Sequence, residues 1–179
     1  MLVLIDQDGP LADFEKGFLD RWQAQYPDEF SVPLDQRKTL HLREEYPPRL
    51  REKVESIYRA PGFYLRLPPT PGCIDAINTF LELGHDLRIC TAPLSHYDNC
   101  VLEKYQWVEK HFGRELTKKI ILTRDKTVIR GDVLIDDNPS ITGVFAPEWE
   151  HVLFDAPYNQ SITGKRRLRW HNWQEVLGV

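Results

Sequence analysis

At 179 residues the chain is long enough for one sizeable core and a small insertion. Hydrophobic residues make up 41% and charged residues 28%, the balance of a soluble globular protein. A formal charge of −4 excludes a broad nucleic-acid or membrane-binding surface, so an anionic partner must be met by a local positive site.

In chain order, residues 2–5 (LVLI) form a short aliphatic run that ends on Asp6 and Asp8. The run is too short for a signal-peptide core and lacks a basic flank, and no later stretch approaches a membrane span, so a cytoplasmic protein is expected. Phe14, Phe18, Trp22 and Tyr26 make one helical stripe, and Leu50, Val54, Ile57 and Tyr58 make another. Pro47, Pro48, Pro61, Pro68, Pro69 and Pro71 mark turns and an exit. Thr70 and Pro71 predict the N-cap and first residue of a crossover helix, with Ile74, Ile77, Phe80 and Leu81 on its apolar face and Gly84 as its stop.

Residues 87–90 read as a second strand. Val101, Leu102, Tyr105, Val108 and Phe112 then recur at helical spacing up to Gly113. Residues 119–122, 133–135 and 151–154 complete five expected strands. Strands alternating with helices predict an α/β fold, a parallel sheet flanked by helices. The division expected is a core of residues 1–15 and 67–179 with a small helical cap, residues 16–66, inserted after the first strand. The basic run at 165–169 reads as a solvated face, the alternative being a phosphate- or partner-binding strip. Cys73, Cys90 and Cys100 are odd in number, form no C-x-x-C pair and read as small buried thiols.

Ligand sites of open parallel sheets lie outside the carboxyl ends of the strands. Asp6 and Asp8 stand at one such end and Asp136 and Asp137 at another. Four carboxylates brought together repel one another, and hard oxygen donors of this kind suit Mg²⁺, often completed by a substrate phosphate. Thr91 offers a hydroxyl and Lys126 a fixed positive charge at two further strand ends. Each member alone could be a turn or a cap; acid pair, hydroxyl, lysine, acid pair in this order suits a phosphoryl group. Spacing excludes a calcium-binding loop, because positions six and twelve counted from Asp6 are Leu11 and Gly17. A phospho-acceptor domain of the receiver type would want adjacent acids on the first strand and no helical cap.

The order Asp6-Gln7-Asp8-Gly9, Thr91, Lys126, Asp136-Asp137 resembles the four motifs of the haloacid dehalogenase (HAD) superfamily. More closely, DQDGPLADFE, PGFYLRLPPTPG, ICTAP, EKYQWVEKHFG, ILTRDKTV, LIDDNP and WEHVLFDAPYNQ resemble the 5'(3')-deoxyribonucleotidases. The resemblance implies a Rossmann-like HAD core, Mg²⁺ as cofactor and Asp6 as a nucleophile that forms an aspartyl-phosphate. It implies Asp8 as acid and base, with its backbone carbonyl on the metal, and Asp137 as a further ligand with Asp136 beside it; which of the two binds directly stays open. Thr91, Lys126 and Arg124 would hold phosphoryl oxygens.

Nucleobases stack on aromatic faces, so Phe14, Tyr58, Phe63 and Tyr64 are candidates, with Phe14 and Tyr58 favoured by the resemblance. Tyr58 occupies a position where the family can carry a tryptophan. In QRKTLHLREEY the chain has Leu40 and His41 where relatives carry an aromatic pair, and Asn138 stands where an arginine can follow the acid pair. The expected partner is a small nucleoside monophosphate rather than a nucleic-acid polymer or a membrane, and a homodimer is compatible with the resemblance. The expected activity is a Mg²⁺-dependent phosphomonoesterase acting on deoxyribonucleoside monophosphates. The alternatives are the same machinery on a sugar phosphate, or a nucleotide-binding or phospho-acceptor protein without turnover.

Overall fold

A computed structural model describes all residues, 1–179. In chain order it contains β1 (Leu2–Ile5), α1 (Phe14–Gln25), α2 (Arg51–Arg59), α3 (Cys73–Glu82), β2 (Asp86–Thr91), α4 (Cys100–Phe112), α5 (Arg114–Thr117), β3 (Ile120–Leu122), β4 (Val133–Asp136), β5 (Glu150–Phe154), β6 (Arg167–Leu168) and α6 (Trp173–Leu177). The strands form one sheet in the order β3-β2-β1-β4-β5-β6, parallel throughout. Helices cover both faces of such a sheet, which is why β1 reads as an unbroken aliphatic run. Val3, Leu4 and Ile5 are fully buried.

The five strands expected from the sequence are present, β1 with the expected bounds and the others with ends shifted by no more than one residue. A sixth, β6, was not expected, and it corrects the reading of the 165–169 run in part: Arg166 and Arg169 are exposed, but Arg167 and Leu168 enter the sheet. Leu168 is buried, and the Arg167 guanidinium is consumed inside the protein, donating to Asp155 Oδ1 at 2.8 Å and Asn159 Oδ1 at 2.6 Å. The start of α3 is also corrected. Thr70 does not cap it: its hydroxyl donates to the Gly9 carbonyl at 2.6 Å, and the helix begins only after Gly72, whose φ of +83° favours glycine.

On α4 the inward face is one residue out of phase with the expected stripe. Cys100, Glu103, Lys104, Trp107 and Val108 are buried, while Leu102 is 63% exposed. Likewise α3 turns Cys73, Ala76, Ile77 and Phe80 inward and leaves Leu81 exposed. All three cysteines are buried free thiols, as expected. No helix is long and apolar enough to cross a membrane.

Residues 14–66 hold α1, α2 and short 3₁₀ turns, without a strand. A single apolar cluster of 32 buried residues runs from Val3 and Ile5 in the sheet to Phe18, Trp22 and Tyr46 in this helical segment. Trp22 stacks on Phe18 with ring centroids 5.8 Å apart, and its indole N–H donates to the Phe30 carbonyl at 3.1 Å. Trp22→Ala is expected to destabilise the whole protein by about 3–5 kcal/mol in urea denaturation followed by far-UV circular dichroism. A separate early transition confined to helical signal would contradict one cooperative core.

Candidate active site

Parallel pairing of β1 with β4 sets Ile5 opposite Ile135, and the Asp6 N–H donates to the Ile135 carbonyl at 2.9 Å. The two strands therefore deliver Asp6 and Asp136 side by side. Carboxylate oxygens of Asp6, Asp136 and Asp137 lie within 4.8 Å of one another. Lys126, in the 3₁₀ turn after β3, reaches between them, 3.1 Å from Asp6 Oδ1 and 2.5 Å from Asp136 Oδ2. Asp136 Oδ1 accepts from the Asn138 N–H at 2.8 Å, and Asp137 accepts a hydrogen bond from the buried Tyr158 hydroxyl. After β1 the chain must turn tightly past this cluster. Gly9 does so at φ +89°, and a Cβ there would overlap the Asp137 carboxylate.

Asp8 faces elsewhere. Its Oδ2 accepts from Lys104 Nζ at 2.6 Å, and its carboxylate is not among the three clustered ones. Its Oδ1 is buried without a hydrogen-bond partner. Lys104 also donates to Thr91 Oγ1 at 2.9 Å, which leaves the Thr91 hydroxyl hydrogen free to donate. The Lys104 carbonyl accepts from Gln7 Nε2 at 3.1 Å, tying α4 to the β1 turn.

Burial pushes the Asp136 carboxyl up to about 6, with the Asp6 charge adding to it and Lys126 opposing it. Burial and the charges of Asp136 and Asp6 raise Asp137 well above the carboxylate range. Asp8 is raised by burial and restrained by Lys104. Burial pulls Lys126 down, but Asp6 and Asp136 outweigh it and hold it above its ordinary value. Fully ionised, the four acids (Asp6, Asp8, Asp136, Asp137) would exceed the two ammonium groups (Lys104, Lys126) by two negative charges. Hard oxygen donors and an excess of two fit a divalent cation of the Mg²⁺ type.

Above these groups lies a cleft of about 640 Å³. Asp6, Asp8, Lys126, Asp136 and Asp137 line its floor, with Arg124 exposed at the rim. Phe14, Tyr58, Leu40 and His41 line it from the helical segment, together with Tyr64. Thr91 is buried and does not itself line the cleft, whereas Ala92, Pro93 and Leu94, which follow it, do. Phe63 is not in the cleft, which corrects its candidacy as a base platform. It is 1% exposed, sets its edge against Phe14 at 5.3 Å and carries Arg21 on its face.

Three participants were not singled out from sequence: Lys104, Tyr158 and Glu103. Lys104 recurs with Trp107, Val108 and His111 at helical spacing, and Glu103 and Lys104 open the stretch EKYQWVEKHFG that carries part of the resemblance. Glu103 accepts N–H bonds from Gly62 and Tyr64, the latter at 3.0 Å, and so fixes the exit of the helical segment.

A family model described as "5' nucleotidase, deoxy (Pyrimidine), cytosolic type C protein" matches residues 1–179. A Bordetella bronchiseptica protein provisionally assigned as a 5'(3')-deoxyribonucleotidase is 55% identical over 177 residues, 99% of this chain and 95% of that protein. The cytosolic-type 5'(3')-deoxyribonucleotidase of Homo sapiens is 47% identical over 185 residues, 98% of this chain and 92% of the human protein. Among solved structures, a Bacillus subtilis protein assigned as the HAD-hydrolase YfnB and bound to magnesium superposes with a TM-score of 0.58 at 14% identity, covering 99% of this chain and 98% of that one. The expected Rossmann-like HAD core is therefore present.

The buried acids make a testable contribution to stability. A carboxyl raised on folding binds more protons in the native state than in the unfolded chain, so stability falls as pH rises through the interval between the two values. For Asp136 that interval runs from the ordinary carboxylate range to about 6. Without divalent cations, Asp137→Asn is expected to melt above the parent protein at pH 7, an advantage that disappears towards pH 4 and shrinks with added Mg²⁺. Differential scanning calorimetry in chelator and in Mg²⁺ reads this; a parent protein more stable than the variant in chelator at pH 7 would contradict it.

Proposed function

The chain belongs to the deoxy (pyrimidine) 5' nucleotidase family of cytosolic type C, and on that premise we propose that it removes the 5' or 3' phosphate from deoxyribonucleoside monophosphates in the cytoplasm. It has the HAD hydrolase fold, and the reaction class is phosphoric monoester hydrolysis. The supporting observation is the division of acids on the floor: Asp6 inside the three-carboxylate cluster beside Lys126, Asp8 outside it with one buried, unpartnered oxygen.

In this reading an Asp6 carboxylate oxygen attacks phosphorus as the bond from phosphorus to the sugar oxygen breaks, giving an aspartyl-phosphate. The Asp8 carboxyl, which lines the cleft, delivers its proton to the departing sugar oxygen. It then takes a proton from the water that attacks the phosphoenzyme, releasing inorganic phosphate and restoring the Asp6 carboxylate. Lys126, with the Thr91 hydroxyl and Arg124, meets phosphoryl oxygens. Mg²⁺, held by Asp6, Asp137 and the Asp8 carbonyl with Asp136 alongside, would neutralise charge that otherwise keeps an anionic ester away from an anionic nucleophile. Lys104 positions Asp8: by holding Oδ2 it fixes the carboxyl at the wall of the cleft, apart from the three clustered acids.

Phe14 and Tyr58, half-buried with ring centroids 6.1 Å apart, offer the apolar surface for a base, while Leu40 and His41 face the same space. A pyrimidine deoxyribonucleotide is the preferred substrate class.

Phosphate release measured across deoxyribonucleotides, ribonucleotides and sugar phosphates, with Mg²⁺ or chelator, tests the assignment. Deoxyribonucleotides should lead and chelator should abolish release; sugar phosphates preferred over every nucleotide would defeat the reading, as would an Asp6→Asn protein that retains turnover. Leaving-group dependence isolates the acid. Asp8→Asn and Lys104→Met should each lower nucleotide turnover by about 10²-fold or more. In the first step, read as the burst of leaving-group release, both should spare p-nitrophenyl phosphate, whose leaving group needs no proton, whereas hydrolysis of the phosphoenzyme, which uses Asp8 as base, slows for both esters. Equal losses in that burst on both esters would assign Lys104 to structure alone.

A further inference from the structure

Residues 38–44 carry Leu40 and His41 into the cleft; they follow the 3₁₀ turn Leu34–Gln36 and run into a second one, Leu42–Glu45. A loop of this kind has little regular backbone pairing to hold it. Its base is nevertheless closed by buried charge. The Arg37 side chain is 1% exposed and pairs with Glu15, in the first turn of α1, and with Glu45 Oε1 at 3.2 Å. Arg37 Nη2 donates to the Thr39 carbonyl at 2.9 Å. Glu45 Oε1 in turn accepts the N–H groups of Lys38 at 2.7 Å and Thr39 at 2.6 Å. One guanidinium and one carboxylate thus join the two ends of the loop through three main-chain groups.

The same guanidinium lies over the Tyr158 ring, 5.5 Å from its centroid, and the Tyr158 hydroxyl donates to Asp137. The closed base of the loop is therefore connected to the acid cluster through one side chain, Tyr158. A guanidinium is suited to this because its flat fork serves several acceptors while its face covers a ring.

We infer that Arg37 and Glu45 are positioning residues for substrate selection: they clasp the 38–44 loop and set it against Tyr158, so that Leu40 and His41 stand at a fixed height above the phosphate-binding floor. The inference rests on the nucleotidase reading for the identity of the group that the loop meets. On this view the clasp governs the part of the ester beyond the phosphate and leaves phosphoryl chemistry to the floor.

Arg37→Met would leave two partly buried carboxylates without their counter-charge, so the informative variants are Arg37→Lys, Glu45→Ala and Glu45→Gln, the last keeping an acceptor for Lys38 and Thr39. Two substrates separate positioning from general damage: a pyrimidine deoxyribonucleoside 5'-monophosphate, and acetyl phosphate, which has nothing for the loop to meet. Arg37→Lys and Glu45→Ala should raise the nucleotide KM about tenfold with kcat held within about threefold, leave acetyl phosphate kcat/KM within about threefold, and Glu45→Gln should recover part of the loss. Parallel losses on both substrates, or an unchanged nucleotide KM, would overturn the inference. A wild-type enzyme that turns over acetyl phosphate but no nucleotide would defeat the functional reading instead; amide hydrogen exchange at Lys38 and Thr39 then decides the clasp, acceleration in Glu45→Ala sustaining it and no change overturning it.

Discussion

Neighbouring parallel strands leave their terminal side chains no choice of company. With Ile5 opposite Ile135, the residues that follow emerge together, and in this chain both are aspartates. Keeping them close and out of water is unfavourable by itself, so a rigid frame must hold them there. The frame is the apolar cluster that runs unbroken through sheet and helical segment. Lys126, the glycine turn and the Tyr158 hydroxyl are arranged around this imposed crowding, and the excess charge gives the floor its appetite for a cation.

The two buried lysines divide the floor. Lys126 arrives from the turn after β3 and lies among the clustered acids, while Lys104 arrives from α4 and holds Asp8 apart. In the proposed chemistry this separates a side that binds the phosphoryl group from a side that handles the leaving oxygen. Two aspartates one residue apart can then do different work, because each meets a different ammonium.

Much of this was legible in the chain. Strands buried on both faces announce themselves as aliphatic runs, and the order of Asp6, Asp8, Thr91, Lys126, Asp136 and Asp137 along the strand ends marked the floor. What escaped has specific causes. Lys104 sits on an amphipathic helix, where a lysine ordinarily marks the wet face, and the apolar stripe chosen for α4 ran one residue out of phase because Leu102 is exposed. β6 has two residues inside a basic run, too short for any periodicity. Phe63 and Tyr64 are adjacent aromatics in a 3₁₀ turn region, both buried in the core, and composition cannot tell that only the second also lines the cleft. Arg37 lies between turns, and no local pattern distinguishes a loop arginine that is buried from one in solvent.

The neighbours Glu103 and Lys104 belong to one turn of α4 yet look in different directions, since successive helical residues point about 100° apart. The glutamate receives the backbone of residues 62 and 64; the lysine grips Asp8. Their order cannot be inverted: a Lys-Glu sequence would bring a fifth carboxylate to a floor already overcharged and set an ammonium against N–H groups that need an acceptor. The direction of this one dipeptide is thus as constrained as the aspartates themselves, although neither residue belongs to the acid cluster. It also makes α4 a mechanical link, through which the seating of the helical segment and the aim of Asp8 are transmitted by a single rigid rod.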